Sequence, residues 1–186
     1  MVEITEVSEN QTCFKEEGNA AFKKGDYTGA GELYTCGLEA TAVENTELRS
    51  VFLFNRACCM FHLSKFSECV TDCTSALGHN PKYCKALFRR ALAFEKVEKF
   101  DESVDDLEKL FQLDPALREV HAREYNRIVR ERDEKFEREK ADMMKELKNA
   151  GNSLLGHFGM SVDDFNFKKD PSTGNYSMSF SKNTSG

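Results

Sequence analysis

The chain reads as an all-α protein, a helical solenoid of three helix–turn–helix repeats closed by a long C-terminal helix. Two observations predict this. Phe66, Cys69, Cys73, Ala76, Leu77 and Pro81 line up with Phe100, Ser103, Leu107, Leu110, Phe111 and Pro115 at a fixed offset of 34 residues. That period belongs to stacked helix pairs, each of which needs its neighbours to bury an apolar face. A further copy, Tyr27, Ala30, Tyr34, Gly37 and Leu38, precedes the second by 39 residues, so about five residues are inserted near Thr41–Thr46, where one helix pair joins the next.

The elements follow in order. Ser8, an N-cap type of residue, opens a first helix that runs to about Lys24, with Phe14, Ala21 and Phe22 as its apolar contacts. Gly25–Asp26 breaks it. The second helix covers about Tyr27 to Ala40, and Asn45 or Thr46 caps a third, about Glu47 to Leu63. Ser64 opens the fourth, which ends at Gly78 with Pro81 just beyond, as helix ends favour. Lys82–Val97 and Phe100–Leu113 complete the third pair, closed by Pro115. The expected divisions are an N-terminal tail over 1–7, three repeats over 8–115, a capping and extended charged helix over 116–157, and a C-terminal tail over 158–186.

Beyond Pro115 the pattern changes. Ala116 to about Asn149 alternates charges densely with no proline, which predicts one long, salt-bridge-laced helix. Its apolar residues (Leu117, Val120, Tyr125, Ile128, Phe136, Met143, Leu147) are sparse. The first half has enough of them to pack on the last repeat as the cap that solenoids need, and the second half projects into solvent or meets a partner. In the tail, Phe165 and Phe167, then Tyr176, Met178 and Phe180, alternate with polar residues around the turn sequence Asp170–Asn175. This predicts a small β-hairpin, which alone is marginal in water and calls for a docking surface or a second chain.

Composition excludes several classes. A net charge of -6 argues against non-specific nucleic-acid binding, which needs a basic face. No apolar run approaches the roughly 18 residues of a membrane span, and Met1–Asn10 has neither the basic start nor the apolar stretch of a leader. The expected location is the cytoplasm. The seven cysteines are odd in number and include no CxxC pair; Cys69 and Cys73 fill repeat positions that hold small core residues, so buried thiols in a reducing compartment are expected rather than zinc or disulfides. Glycosylation triplets at Asn10, Asn175 and Asn183 are then without consequence. His62, His79, His121 and His157 are scattered, no glycine-rich phosphate loop follows a strand, and no Gly-x-Ser-x-Gly elbow occurs. Neither an enzyme nor a cofactor or metal site is expected.

The informative set is Lys15, Asn19, Asn55, Lys85 and Arg89. Lys15 and Asn19 share a face of the first helix, Lys85 and Arg89 a face of the fifth, and Asn55 lies on the third between them. Each helix is the first of its pair, the member that lines the concave side of a right-handed solenoid. Ammonium and guanidinium groups supply charge-assisted hydrogen bonds and the amides fix orientation, a set suited to a pair of carboxylates. Any single Lys or Arg on a helix is usually a solvated surface residue; five suitable residues at matching positions are not explained by solvation. Phe22, Phe54, Phe61, Phe88 and Leu92 are candidates for an apolar shelf beside them, several of them shared with the repeat core.

Lys15-Glu-Glu-Gly-Asn19, Asn55-Arg56 and Lys85-Ala-Leu-Phe-Arg89 together resemble the dicarboxylate-clamp tetratricopeptide repeat (TPR) co-chaperones, in which Lys-x-x-x-Asn, Asn-Arg and Lys-x-x-x-Arg come from three successive repeats. All five clamp positions match. The resemblance implies a protein-binding adaptor whose groove holds the Glu-Glu-Val-Asp tails of heat-shock chaperones of the 70 and 90 kDa classes. It also suggests G proteins as clients. A second reading is a scaffold that binds a partner, a G protein for example, through the long helix or the hairpin. The apolar positions of the long helix sustain no clean heptad, so a monomer is expected. Self-occupation of the groove is disfavoured, because Asn183–Gly186 carries no acidic side chain.

Overall fold

The computed structural model describes residues 3–169, 171 and 174–181, residues 3–10 by their backbone alone. The protein is an α-solenoid: α1 (Glu3–Lys23), α2 (Tyr27–Glu39), α3 (Thr46–His62), α4 (Phe66–His79), α5 (Cys84–Lys96) and α6 (Phe100–Leu113) form three helix pairs, each helix packed on its neighbours in sequence. The first helices of the second and third pairs, α3 and α5, also touch one another. A short α7 (Leu117–Val120), a long α8 (Ala122–Gly156) and a hairpin of β1 (Phe165–Lys169) and β2 (Tyr176–Phe180) follow. The chain divides into two compact units at Arg132/Asp133.

Three turns within the pairs are built alike. Gly25, Ser64 and Glu98 all have positive φ, and the amide of the residue after each reaches back to the carbonyl of Ala21, Met60 and Phe94. This is the Schellman closure, which satisfies carbonyls that a helix end would otherwise leave unpaired. Only the first turn uses glycine, so Ser64 and Glu98 hold a conformation that costs an L-residue about 1–2 kcal/mol. Ser64 therefore does not open α4, contrary to its capping chemistry: it is the left-handed link, and the helix begins at Phe66. Asn45 rather than Thr46 caps α3, accepting from the Leu48 amide at 3.1 Å.

Two further sequence expectations are corrected. The first helix starts at Glu3, not Ser8, so what reads as a tail over 3–7 is helical; Glu3 and Glu6 are good helix formers, and acids suit the positive end of the helix dipole. Residues 1–2 of that expected tail lie outside the described residues. The single helix expected after Pro115 is interrupted at His121, which ends α7 before α8 begins.

The repeat positions that predicted the fold are its core. Ala30, Cys69 and Ser103 occupy one buried layer position in each repeat, and Cys73 and Leu107 another. A small residue at a further repeat position lets successive pairs approach: a Cβ on Gly37 of α2 would collide with the Phe52 ring of α3. The cap is real as well. Ile128 of α8 is fully buried in the cluster formed by Leu87, Leu107, Leu110 and Phe111, with Tyr125 packed against it. Ile128→Ala is expected to cost about 2–5 kcal/mol of unfolding free energy, the usual range for a deleted core side chain. Met143→Ala, at a side chain 69% exposed on the same helix, is expected to leave the denaturation midpoint unchanged; urea titration of both variants checks this.

In the second unit, α8 closes against the segment that follows it. The Val162 amide donates to Asn152 Oδ1 at 2.7 Å, Lys148 pairs with Asp163 at 2.7 Å, and Ser161 and Asp164 cap each other. The hairpin is antiparallel with Phe165 opposite Phe180, Phe167 opposite Met178 and Lys169 opposite Tyr176. Its apolar residues thus lie on one face, as period-2 alternation requires. Asp170, Ser172 and Thr173 of the turn sequence, and the terminus Asn183–Gly186, lie outside the described residues.

Candidate functional site

Lys15 and Asn19 stand one turn apart on α1, with Gly18 between them against α2. A Cβ on Gly18 would meet the Tyr34 ring at 2.6 Å, so only glycine lets Tyr34 come this close. The Tyr34 hydroxyl donates to Asn19 Oδ1 at 2.8 Å. Asn19 is therefore not a loose surface amide: its oxygen is engaged and its NH2 is left to face an acceptor. Burial pushes the Tyr34 phenol up to about 12, so this donor keeps its proton across the physiological range.

The other half of the site forms between α3 and α5. Arg89 and Lys85 approach Cys58; burial pushes that thiol up, while Arg89, through charge and a hydrogen bond, and Lys85 pull it back. The Arg89 guanidinium lies 4.8 Å from the Phe61 ring centroid, a cation–π contact that orients its plane. Asn55 precedes Cys58 by one helical turn and so shares the face that meets Arg89 and Lys85. Among the described residues, Lys15, Asn55 and Lys85 make no side-chain hydrogen bond or ion pair. The structure thus gathers Lys85, Arg89 and the Asn55–Phe61 face of α3, and holds Asn19 through Tyr34. Among the described residues no hydrogen bond or ion pair joins Lys15 or Asn19 to that second group.

The residues that follow Asn55 and Arg89 do different work. Arg56 grips both oxygens of Asp72 on α4 at 2.8 and 2.7 Å and reaches Thr35 on α2 at 3.2 Å. Arg90 repeats this 34 residues on, with Asp106 on α6 at 2.7 Å twice and Thr74 on α4 at 3.0 Å. Hydrogen bonding to Asp72 and to Asp106 raises the pKa of each guanidinium further. Arg56 of the Asn-Arg motif is thus bound within the fold. The signal for this bracket was in the sequence, as Arg56/Arg90 and Asp72/Asp106 share the repeat period.

The expected shelf residues divide. Phe61 lies under Arg89, and Phe88 and Leu92 continue the Lys85–Arg89 stripe of α5 at helical spacing. Phe54 leans on Tyr83, centroids 5.0 Å apart, and packs against the central core. Phe22 meets Tyr27 and His62 edge-on at 5.1 and 5.3 Å in the first-repeat core. Sequence reasoning missed Tyr34, Cys58 and His121, the last of which stacks on Phe88 with centroids 3.8 Å apart. Tyr34 was visible as a repeat position; nothing marked His121.

No family model matches the chain. It is 42% identical over 93 residues to the mitochondrial import receptor subunit TOM70 of Rattus norvegicus, covering 50% of this chain and 15% of that protein. The chain therefore spans a small fraction of the length of this relative. Solved domains match along nearly their whole length. The first TPR of Spaghetti (RPAP3) bound to HSP90 peptide SRMEEVD is 33% identical with a TM-score of 0.60, covering 66% of this chain and 93% of that one. The second TPR domain of human RPAP3, in complex with HSP70 peptide SGPTIEEVD, is 30% identical with a TM-score of 0.59, covering 66% and 97%. Similarity at these identities, over nearly the full length of those domains, makes this chain a member of the TPR co-chaperone domain family.

Proposed function

We propose that this chain is a chaperone adaptor whose groove binds the acidic C-terminal tail of heat-shock chaperones of the 70 and 90 kDa classes. The observation that carries this reading is the meeting of Lys85 and Arg89 at Cys58, with Arg89 over Phe61, Asn55 on the same face of α3 and the Asn19 amide held by Tyr34. Two cationic groups beside oriented amides bind two carboxylates through charge-assisted bonds. A C-terminal aspartate offers two such groups within one residue. The peptides held by the two related RPAP3 domains both end in Glu-Glu-Val-Asp, which supports the same ligand class here. The five clamp residues are Lys15, Asn19, Asn55, Lys85 and Arg89, and the peptide module is the repeat region 8–115 with its cap. The adaptor does no chemistry of its own. Its free thiols, four of them buried, suit a reducing compartment, and the cytoplasm is the compartment proposed.

Calorimetric titration of the full chain with Met-Glu-Glu-Val-Asp and with its C-terminally amidated twin tests the reading. Binding near the micromolar range, about -8 kcal/mol, is expected for the free acid and none for the amide. Equal affinity for both would overturn the clamp.

A second reading has its own observation. Met143, Leu147 and Leu154 on α8, and Phe167 and Met178 on the hairpin, are more than half exposed, an apolar surface of the kind that meets partners. A scaffold of that type, with a G protein as the family-suggested client, loses its partner when 150–186 is deleted and keeps it when Lys85 is changed to Ala. The adaptor does the reverse.

A further inference from the structure

His121 is the point at which the expected single helix breaks, and the break turns its ring onto the clamp-bearing face of α5. The imidazole lies flat on Phe88, centroids 3.8 Å apart with 28° between the planes. Lys85, Phe88, Arg89 and Leu92 are spaced i, i+3, i+4 and i+7, so Phe88 belongs to the same broad stripe of α5 as both clamp cations. His121 is half-buried, and among the described residues its ring nitrogens have no hydrogen-bond partner. Its neighbours along the chain are otherwise occupied or unpaired with it. Arg118 lies over the Phe111 and Tyr125 rings at 5.5 and 5.7 Å, and no ion pair joins His121 to Glu119 or Glu124 among the described residues. A partly shielded ring with unspent polar edges, fixed by stacking on Phe88, is arranged to donate to an acceptor on a ligand already in the groove.

We infer that the Phe88–His121 pair forms an additional subsite of the groove, in which His121 hydrogen-bonds a glutamate side chain upstream of the terminal aspartate. This rests on the carboxylate-tail reading above. It makes the cap, and not only the repeats, part of the recognition surface. A tail with glutamates before its last two residues is thereby preferred over one with neutral amides.

A double-mutant cycle tests it. Met-Glu-Glu-Val-Asp and Met-Gln-Gln-Val-Asp are titrated into the full wild-type chain and into His121→Ala and His121→Phe. His121→Phe keeps an aromatic ring against Phe88 and removes the ring nitrogens, so the two variants together separate hydrogen bonding from stacking. The wild type is expected to bind the glutamate peptide about tenfold more tightly than the glutamine peptide, the scale of one hydrogen bond to a charged group. Both variants are expected to lose most of that ratio, because they weaken the glutamate peptide more than the glutamine peptide. A ratio unchanged in both variants overturns the inference, and so does a loss of affinity equal for the two peptides. If the wild type binds neither peptide, the carboxylate-tail reading itself fails and takes this subsite with it; amidation-sensitive binding without coupling to His121 refutes the subsite alone.

Discussion

Arg90→Ala is expected to destabilise the protein by about 3–5 kcal/mol, because it strands a carboxylate that the fold has taken out of water. Asp106 has a side chain only 7% exposed, and both of its oxygens are held by Arg90 at 2.7 Å. Removing the guanidinium leaves Asp106 charged and unpaired between α5 and α6, and also frees Thr74 on α4. The third pair and its junction with the second are weakened together. The expectation extends to a double variant. Arg90→Met with Asp106→Leu removes the buried charge along with its partner and is expected to restore most of the loss, as well-packed apolar replacements of buried ion pairs do. Chemical denaturation of the single and double variants measures both; a single variant within about 1 kcal/mol of wild type would show that water reaches Asp106 and that the bracket contributes little.

The neighbouring residue predicts the opposite phenotype. Lys85→Ala and Arg89→Ala are each expected to weaken binding of a Glu-Glu-Val-Asp peptide about tenfold or more, and together on the order of a hundredfold, from the worth of charge-assisted hydrogen bonds. Their effect on stability is expected to be small, since Lys85 is exposed and Arg89 loses a cation–π contact of about 0.5–1 kcal/mol and its contact with the Cys58 thiol. Arg89→Lys keeps the charge but gives up the planar fork that Phe61 orients, so it is expected to recover only part of the affinity. Titration of the variants, with thermal melts beside them, separates the two arginines: position 89 acts on ligand affinity and position 90 on the fold. Equal loss of binding and stability in both would contradict the division of labour proposed for Asn55–Arg56 and Arg89–Arg90.

That division shows how far the primary structure could be read. The 34-residue spacing of Phe66/Phe100, Cys69/Ser103 and Ala76/Leu110 identified the helix pairs, because stacking places the same small or apolar residue at each layer. The residues of the proposed clamp stand out for a related reason. Lys15 with Asn19 and Lys85 with Arg89 are four apart, and helical periodicity alone puts each pair on one face. The same periodicity placed Phe54 and Phe22 among shelf candidates, although the first packs on Tyr83 and the central core and the second on Tyr27 and His62. A helix face says where a side chain starts, not what it meets.

What the chain determined by itself is local and periodic: helix pairs, their turns, the charged helix after Pro115 and a hairpin with one apolar face. Each depends on residues within a turn or a repeat of one another, so spacing carries the information. Tertiary packing decided the rest. It put Ser64 and Glu98 in left-handed turns that their residue types do not favour, because the closing hydrogen bonds and packed helices outweigh the local cost. It set the Tyr34 hydroxyl on Asn19 through the space left by Gly18 and bound Arg56 and Arg90 inside their repeats. It also broke the last helix at His121 and laid that ring on Phe88. The side-chain contacts among these join residues 15 to 33 positions apart, and their energies depend on distances that only the assembled helices set.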